Sequence, residues 1–204
     1  MTVLTETLDR LEYWLWQNHP GVAELLKPGL TSEEIDNQVQ NLPVQLTQEI
    51  KELYQWTNGC DLFFTPWQNE ALSWMPLDKA IQYSYEQPYV ASEFVMEKIK
   101  IPNLVMFAEF EELVHFAVCD GDESSPILTM DECFYTGFAY SSITSMALTV
   151  LEGYEREILT IDDGWTRPRI LNTSLHNEFN SICKRNNAAF NSDCIQERYN
   201  IKTE

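Results

Sequence analysis

Three histidines are the side chains of this sequence best suited to acid–base chemistry near neutral pH: His19, His115 and His176. His115 has apolar neighbours on both sides, in a stretch that alternates like a strand. It is a candidate general base that could pair with Glu111 or Glu112. The apolar surroundings favour a structural histidine over this catalytic role.

Nucleophilic and phosphate-binding chemistry has no recognisable motif in this sequence. There is no G-x-S-x-G elbow, and none of the five cysteines lies in a nucleophile motif or a C-x-x-C pair. The seven glycines form no glycine-rich phosphate loop. The odd number of cysteines favours reduced thiols over a disulfide framework. We therefore expect no catalytic residues and no cofactor.

The best candidate for a metal site is the acidic cluster of Asp120, Asp122 and Glu123, because clustered carboxylates suit Ca²⁺ or Mg²⁺. This cluster lacks the alternate-position ligands and the distal glutamate of an EF-hand loop. A solvated turn is the favoured interpretation, and we expect no metal. A metal-dependent hydrolase that uses Asp120 and Asp122 stays open as an alternative function.

The overall composition limits the classes of molecule that this chain could bind. The chain has 204 residues, with 13 Lys and Arg against 32 Asp and Glu, and a formal net charge of -19. Such acidity argues against binding to nucleic acid or to an anionic membrane, both of which attract basic proteins. A hydrophobic content of 44% excludes intrinsic disorder. With no signal-peptide pattern and no long apolar run, we expect a cytoplasmic protein.

The acidic residues are concentrated in the span between Lys100 and Arg156, which contains no lysine or arginine. Eight of the ten acidic residues in this span lie at the edges of predicted strands. The ten are Glu109, Glu111, Glu112, Asp120, Asp122, Glu123, Asp131, Glu132, Glu152 and Glu155. Acidic turns gathered at one surface would produce a field of one sign that steers a basic protein partner. Charge spread around the molecule for solubility explains the pattern equally well.

Several helices must position these residues. The first has an apolar stripe formed by Leu4, Leu8, Leu11 and Leu15, and Pro20 and Gly21 end it. Trp14 and Trp16 flank the stripe, as part of the core or, less favoured, of a docking surface. Thr31 and Glu34 form a capping box that opens a second helix.

A third helix has Leu46, Ile50, Leu53 and Tyr54 at helical spacing, and Asn58 and Gly59 end it. Further along, the patterns predict strands over 61–64, 71–75, 104–109, 113–119 and 127–130, with helices over 141–157 and 175–184. The order of these elements predicts an α+β fold with a single antiparallel or mixed sheet packed by helices. We expect one domain over residues 1–186 and a polar C-terminal tail over 187–204.

The segment 31–59 resembles the opening of the SUKH superfamily, which includes a fungal cell-wall-assembly regulator and many bacterial toxin-immunity proteins. The residues that carry the resemblance are Leu42 and Pro43, Leu53 and Tyr54, and Asn58 and Gly59. Phe107 lies in a stretch similar to the central strand of the family. Residues 141–146 are similar to the start of its closing helix. The likeness covers about residues 25–157, and leaves an extra N-terminal helix and a C-terminal helical extension.

One departure from the family pattern lies between the two central strands. Members commonly have a Gly-Asp step there, whereas this sequence has the residues 109–112, which include three glutamates. The geometry of that hairpin therefore does not follow from the resemblance.

The resemblance implies a non-enzymatic binding domain, like the immunity proteins that bind and block a cognate toxin, often a nuclease. A nuclease that grips phosphate has a basic cleft, and an acidic surface could compete for it. The hypothesis therefore places a basic partner on the acidic turns, with Trp67 and Trp74 as exposed aromatic anchors. A regulatory scaffold like the fungal member is an alternative whose partner need not be basic.

Overall fold

The computed structural model describes residues 1–64, 71–86, 103–110, 113–119, 123–130, 136–161, 168–170 and 173–187. Its helices are α1 Val3–Asn18, α2 Pro20–Ala23, α3 Ser32–Val39, α4 Gln48–Trp56, α5 Leu77–Ile81, α6 Ile143–Glu155 and α7 His176–Asn186. Gln82–Glu86 forms a π-helical turn and Thr173–Leu175 a 3₁₀ turn. Its strands are β1 Cys60–Phe64, β2 Ala71–Trp74, β3 Leu104–Phe110, β4 Leu113–Val118, β5 Ile127–Met130, β6 Thr136–Tyr140, β7 Leu159–Ile161 and β8 Pro168–Ile170.

The main sheet has six strands that lie side by side in the order of the chain, β1 to β6, and every neighbouring pair is antiparallel. This meander with its packed helices confirms the predicted α+β class. The prediction of a single sheet is wrong, because β7 and β8 form a separate two-stranded antiparallel sheet. Each of these strands has three residues, too few for an alternating pattern to appear in the sequence.

Helix α1 forms as its apolar spacing predicts, since its four stripe leucines are buried. The Thr2 hydroxyl caps its first turn by accepting the N–H of Thr5 at 3.1 Å. Pro20 does not simply end this helix, because it also begins the short α2. Proline has no N–H to leave unsatisfied, so the first turn of a helix tolerates it.

The capping box predicted for α3 is present. The Glu34 N–H donates to Thr31 Oγ1 at 3.2 Å, and the Thr31 N–H donates to Glu34 Oε2 at 2.7 Å. Helix α4 starts at Gln48 with Thr47 as its N-cap, so Leu46 lies before the helix and not inside it as predicted. Leu46 is nevertheless buried in the core.

The helices pack on one face of the main sheet and form the larger hydrophobic core. The opposite face has a second buried cluster, to which Met106, Phe116 and Leu128 belong. Strand β4 is buried along its whole length, because alternate residues enter the two cores. A nearly continuous apolar run is typical of a strand covered on both faces.

Glu49 joins three parts of this fold. One carboxylate oxygen accepts the backbone N–H of Ser125 at 2.8 Å and of Ile143 at 3.1 Å. The other accepts the Thr144 N–H at 3.1 Å and the Thr144 hydroxyl at 2.5 Å. A negative charge is favourable at a helix N-terminus, so Glu49 attaches α4 to the start of α6 and to the segment before β5.

Candidate functional site

Glu109 is the one member of the predicted acidic surface that the described part of β3 contains. It pairs across the sheet with Ser73 on one side and with Val114 on the other. Its side chain is half-buried, and this desolvation raises the pKa of the carboxyl group. Glu109 therefore presents a partly dehydrated carboxyl group one residue before the end of its strand.

The register of the sheet brings several strand ends to the same side of the molecule. Three pairs of strand ends are direct cross-strand partners: Phe64 and Ala71, Phe110 and Leu113, and Met130 and Thr136. We call this side of the sheet the Glu109 end. Neighbouring pairs are two strands apart, which corresponds to about 10 Å in a β-sheet.

Glu123 lies at the opposite end of the sheet from Glu109. The segment after β4 returns to β5 where Ala117 pairs with Ile127, and there the Glu123 carbonyl accepts the Glu49 N–H at 3.2 Å. The two ends are separated by the length of β4, about 20 Å for six residues. Glu109 and Glu123 thus belong to two separate surfaces, which the acidic pattern of the sequence did not distinguish.

Seven further members of the predicted surface lie outside the described residues. They are Trp67, Glu111, Glu112, Asp120, Asp122, Asp131 and Glu132. The polar tail predicted from residue 187 also lies outside them, apart from Asn187.

The prediction that Trp74 is an exposed anchor is wrong, because only 2% of this residue is accessible. Its ring lies 5.7 Å from that of Tyr54 in an edge-on arrangement and 6.1 Å from that of Trp56. Both neighbours belong to α4, which covers the last residue of β2. Trp74 therefore stabilises the core and is not available to a partner.

The Asn-Gly pair after α4 makes close structural contacts. The Asn58 side-chain oxygen accepts the Leu77 N–H at 2.8 Å, which satisfies the start of α5. Gly59 has a φ angle of +103°, and a Cβ at this position would lie 2.9 Å from the Trp74 carbonyl oxygen. Only glycine fits this combination of backbone angle and close approach.

The remaining residues of the family-like pattern lie in or beside the core. Leu53, Tyr54 and Phe107 are buried, and the Tyr54 hydroxyl donates to the Met75 carbonyl at 3.3 Å. Leu42 is partly buried against the same core, whereas Pro43 is exposed after α3. These residues stabilise the fold and expose little surface to which a ligand could bind.

His115 is enclosed in the sheet and has the environment of a structural histidine. It is fully buried, and its Nδ1 lies 3.2 Å from the Thr129 hydroxyl. Its Nε2 has no hydrogen-bond partner among the described residues. Burial lowers the pKa of His115 to about 4, so the ring is neutral at pH 7. A side chain closed off from solvent cannot act as a general base on a bound substrate.

Three further features of the described segments concern metal binding, membrane crossing and thiol reactivity. Within them, no three His, Cys, Asp or Glu side chains lie close enough together to hold a metal ion. No helix of the described chain has the length and apolar character needed to cross a bilayer. Cys60 and Cys119 are buried thiols, and burial raises the pKa of Cys183 to about 12, which makes it a weak nucleophile.

Three arginines line a cleft of about 250 Å³ and its rim between α1, α6 and α7. Arg10 pairs with Glu155 at 2.6 Å, Arg156 pairs with Glu152 at 2.8 Å, and Arg185 also contacts Glu152. Because each cation already has a carboxylate partner, the cleft is unsuited to binding an anion. Ion pairs between exposed side chains of this kind contribute little to stability.

The two tryptophans that flank the α1 stripe have different environments. Trp14 stacks on Tyr154 of α6 with a distance of 4.6 Å between ring centroids, as a core residue would. Trp16 is 46% exposed, and Tyr13 on the same helix is 68% exposed. The favoured prediction, that these tryptophans pack in the core, is therefore confirmed for Trp14 and wrong for Trp16.

No protein-family model matches the sequence, and no curated protein matches it.

Proposed function

We propose that this protein is a non-enzymatic binding domain whose acidic surface at the Glu109 end holds a basic protein partner. The observation that carries the proposal is the register of the main sheet. Three pairs of strand ends lie at the Glu109 end, and the sequence segments that join two of these pairs include Glu111, Glu112, Asp131 and Glu132.

The spacing of these pairs supports a joint electrostatic effect. Two strands, about 10 Å, separate neighbouring pairs of strand ends, which is slightly longer than the screening length of about 8 Å at physiological ionic strength. Charges at this spacing are therefore partly screened in physiological salt and add most strongly at low ionic strength, where the net charge of -19 extends the same sign over the whole molecule. A surface of this kind accelerates the approach of a positively charged protein.

The resemblance to the SUKH superfamily suggests what the partner is. Immunity proteins of that family bind a cognate toxin, and a nuclease toxin needs a basic cleft for phosphate. An acidic surface that occupies such a cleft blocks the substrate without performing chemistry. We therefore propose toxin neutralisation as the function of this binding domain.

The test is binding to the product of a neighbouring gene that encodes a toxin domain, measured by calorimetry. Raising the salt from about 0.1 M to about 1 M shortens the screening length from about 10 Å to about 3 Å and is expected to weaken the complex. The double variant Glu111→Lys with Glu112→Lys is expected to weaken binding by about tenfold or more, equivalent to about 1.4 kcal/mol.

Glu123→Lys, compared with the single variant Glu111→Lys, is the matched control, because both reverse one charge and Glu123 lies at the opposite end of the sheet. It should alter the affinity by much less than Glu111→Lys does. An affinity that is indifferent to salt, or equal losses at both ends, contradicts the proposal. A neighbouring gene product that inhibits no growth and is not bound also contradicts it.

A further inference from the structure

We propose that the outer face of α1 docks a basic segment of a partner protein around the exposed aromatic rings of Tyr13 and Trp16. We define the α1 outer face by Glu6, Asp9, Tyr13 and Trp16. The inference deepens the proposed function and rests on it, because it names a contact surface for the same basic partner.

The exposed apolar side chains of the described chain are concentrated near its N-terminus. All the large hydrophobic residues that are exposed there fall within the first 25 positions: Met1, Val3, Tyr13, Trp16 and Leu25. Tyrosine and tryptophan are the residues most enriched where proteins bind one another. Exposed aromatic rings at one helix end therefore identify a candidate contact surface.

The four residues of the α1 outer face lie along one stripe. Their spacings of three, four and three residues follow the helical repeat, on the side opposite the buried leucine stripe. Over the ten residue steps from Glu6 to Trp16 the helix rises about 15 Å. This length suits one short segment of a partner.

The helix that presents this stripe is held on both sides. Towards α4, Glu52 accepts hydrogen bonds from the hydroxyls of Thr2 and Thr5, and the Trp56 indole N–H donates to Glu12 at 2.9 Å. Towards α6, Arg10 pairs with Glu155. A surface on a fixed element loses little conformational freedom on binding, which favours affinity.

The charges of the α1 outer face determine the kind of partner. The Glu6 and Asp9 carboxylates are exposed and have no ion-pair partner among the described residues. The nearest cation on the helix, Arg10, is already paired with Glu155. Two free carboxylates beside two aromatic rings match a segment with lysine or arginine and an apolar side chain, since cations also stack on aromatic faces.

Two other occupants fit this face less well. A second copy of the chain would bring its own net charge of -19 to the contact, and a twofold interface would set the same acidic stripe against itself. An anionic membrane is repelled by the same carboxylates. The basic protein segment is the occupant that the charges favour.

The test uses two fluorescent synthetic peptides of equal positive charge, one with lysine and leucine and one with lysine and serine. We expect the full chain to bind the leucine peptide more tightly than the serine peptide. Tyr13→Ala with Trp16→Ala should weaken binding of the leucine peptide by about tenfold or more, because aromatic contacts of this kind dominate interface energies. Glu6→Lys with Asp9→Lys should weaken binding of both peptides.

Leu25→Ala is the control, since Leu25 is a large hydrophobic side chain that is 41% exposed but lies outside α1 and its stripe. Its peptide affinity should equal that of the unmodified chain, and thermal unfolding verifies that every variant is folded. Failure of the unmodified chain to bind the leucine peptide, or equal binding by the Tyr13 and Trp16 variant, overturns the inference. A dimer of the unmodified chain that this variant abolishes also overturns it, in favour of a second copy.

The same variants separate this inference from the proposed function. If toxin binding responds to Glu111→Lys with Glu112→Lys but not to Tyr13→Ala with Trp16→Ala, the α1 outer face is not a contact and the proposed function stands. If the leucine peptide requires Tyr13 and Trp16 while no toxin is bound, the proposed function fails and the docking surface remains.

Discussion

Glu49 is a partly buried carboxylate and His115 is a fully buried imidazole. The two side chains differ in how many hydrogen bonds they make. Both carboxylate oxygens of Glu49 are occupied, with three backbone N–H groups and a hydroxyl as donors. His115 has one side-chain partner, Thr129, and no charged residue contributes to its lowered pKa. Burial outweighs an opposing hydrogen bond with the Val114 backbone and disfavours the charged imidazolium, so His115 should make folding sensitive to acid.

We predict that His115 destabilises the fold as the pH falls from about 6.5 to about 4. The folded-state pKa of about 4 lies below the ordinary histidine pKa of about 6.5, so in this window the unfolded chain binds the proton and the folded chain does not. The stabilisation is complete above pH 6.5 and is lost towards pH 4, by up to about 3 kcal/mol for a shift of this size. Urea unfolding at a series of pH values measures the change.

The control for this prediction is His115→Asn, which keeps a polar group beside Thr129 but does not titrate in this range. The variant starts from a lower stability at pH 7, and its unfolding free energy should fall less steeply with acid than that of the unmodified chain. Carboxylates titrate in both proteins, so only the difference between the two slopes reports His115. Identical slopes contradict a buried neutral histidine.

The site residues that the sequence predicted correctly are those whose neighbours along the chain already define their environment. His115 has apolar residues on both sides, and its structural role was favoured for that reason. Trp74 and Trp16 depend on elements distant in sequence. Trp74 is covered by α4, about 20 residues earlier, while no described element packs over Trp16. The local pattern of residue types does not show whether an element distant in sequence packs over a side chain.

Elements with strong local signals were predicted well. Helix α1 has four leucines at helical spacing, α3 has a complete capping box, and β3 and β4 are long apolar runs. Strands β6, β7 and β8 are not predicted by the sequence patterns. These strands have three to five residues, and β6 contains a glycine, so pairing with a neighbour rather than local preference forms them.

At the level of elements, we predict that Gly59→Ala destabilises the junction of α4, β1 and α5. Alanine is strained at a φ of +103°, and its Cβ would press on the Trp74 carbonyl oxygen. A loss of about 1–3 kcal/mol is expected from strain of this kind. Thermal unfolding monitored by circular dichroism is the measurement.

Gly21→Ala is the natural comparison for the Gly59 variant. Gly21 lies in the short helix α2, and a Cβ there has no atom within 4 Å. Alanine favours the helix by up to about 1 kcal/mol relative to glycine, so this variant should be neutral or slightly more stable. Equal losses at the two positions show that the backbone angle of Gly59 is not the cause.

Over the whole molecule, attraction and repulsion between charges act at different ranges. The attractive pairs are local and lie mostly between exposed side chains, such as Arg10 with Glu155 and Lys51 with Asp36. The repulsion arises from an excess of 19 negative charges over the chain. Exposed pairs are worth little individually, whereas repulsion sums over many carboxylates when salt is low.

We therefore predict that NaCl stabilises this protein. Between about 0.01 M and about 0.1 M the screening length falls from about 30 Å to about 10 Å, which suppresses long-range repulsion before it affects contacts between neighbouring charges. The Tm should rise over this range. The Arg156→Gln variant breaks the pairs with Glu152 and Glu178 and adds one net negative charge, so its Tm should rise more steeply. A Tm that falls with salt contradicts the prediction, since the ion pairs around Arg156 would then outweigh the repulsion of the whole chain.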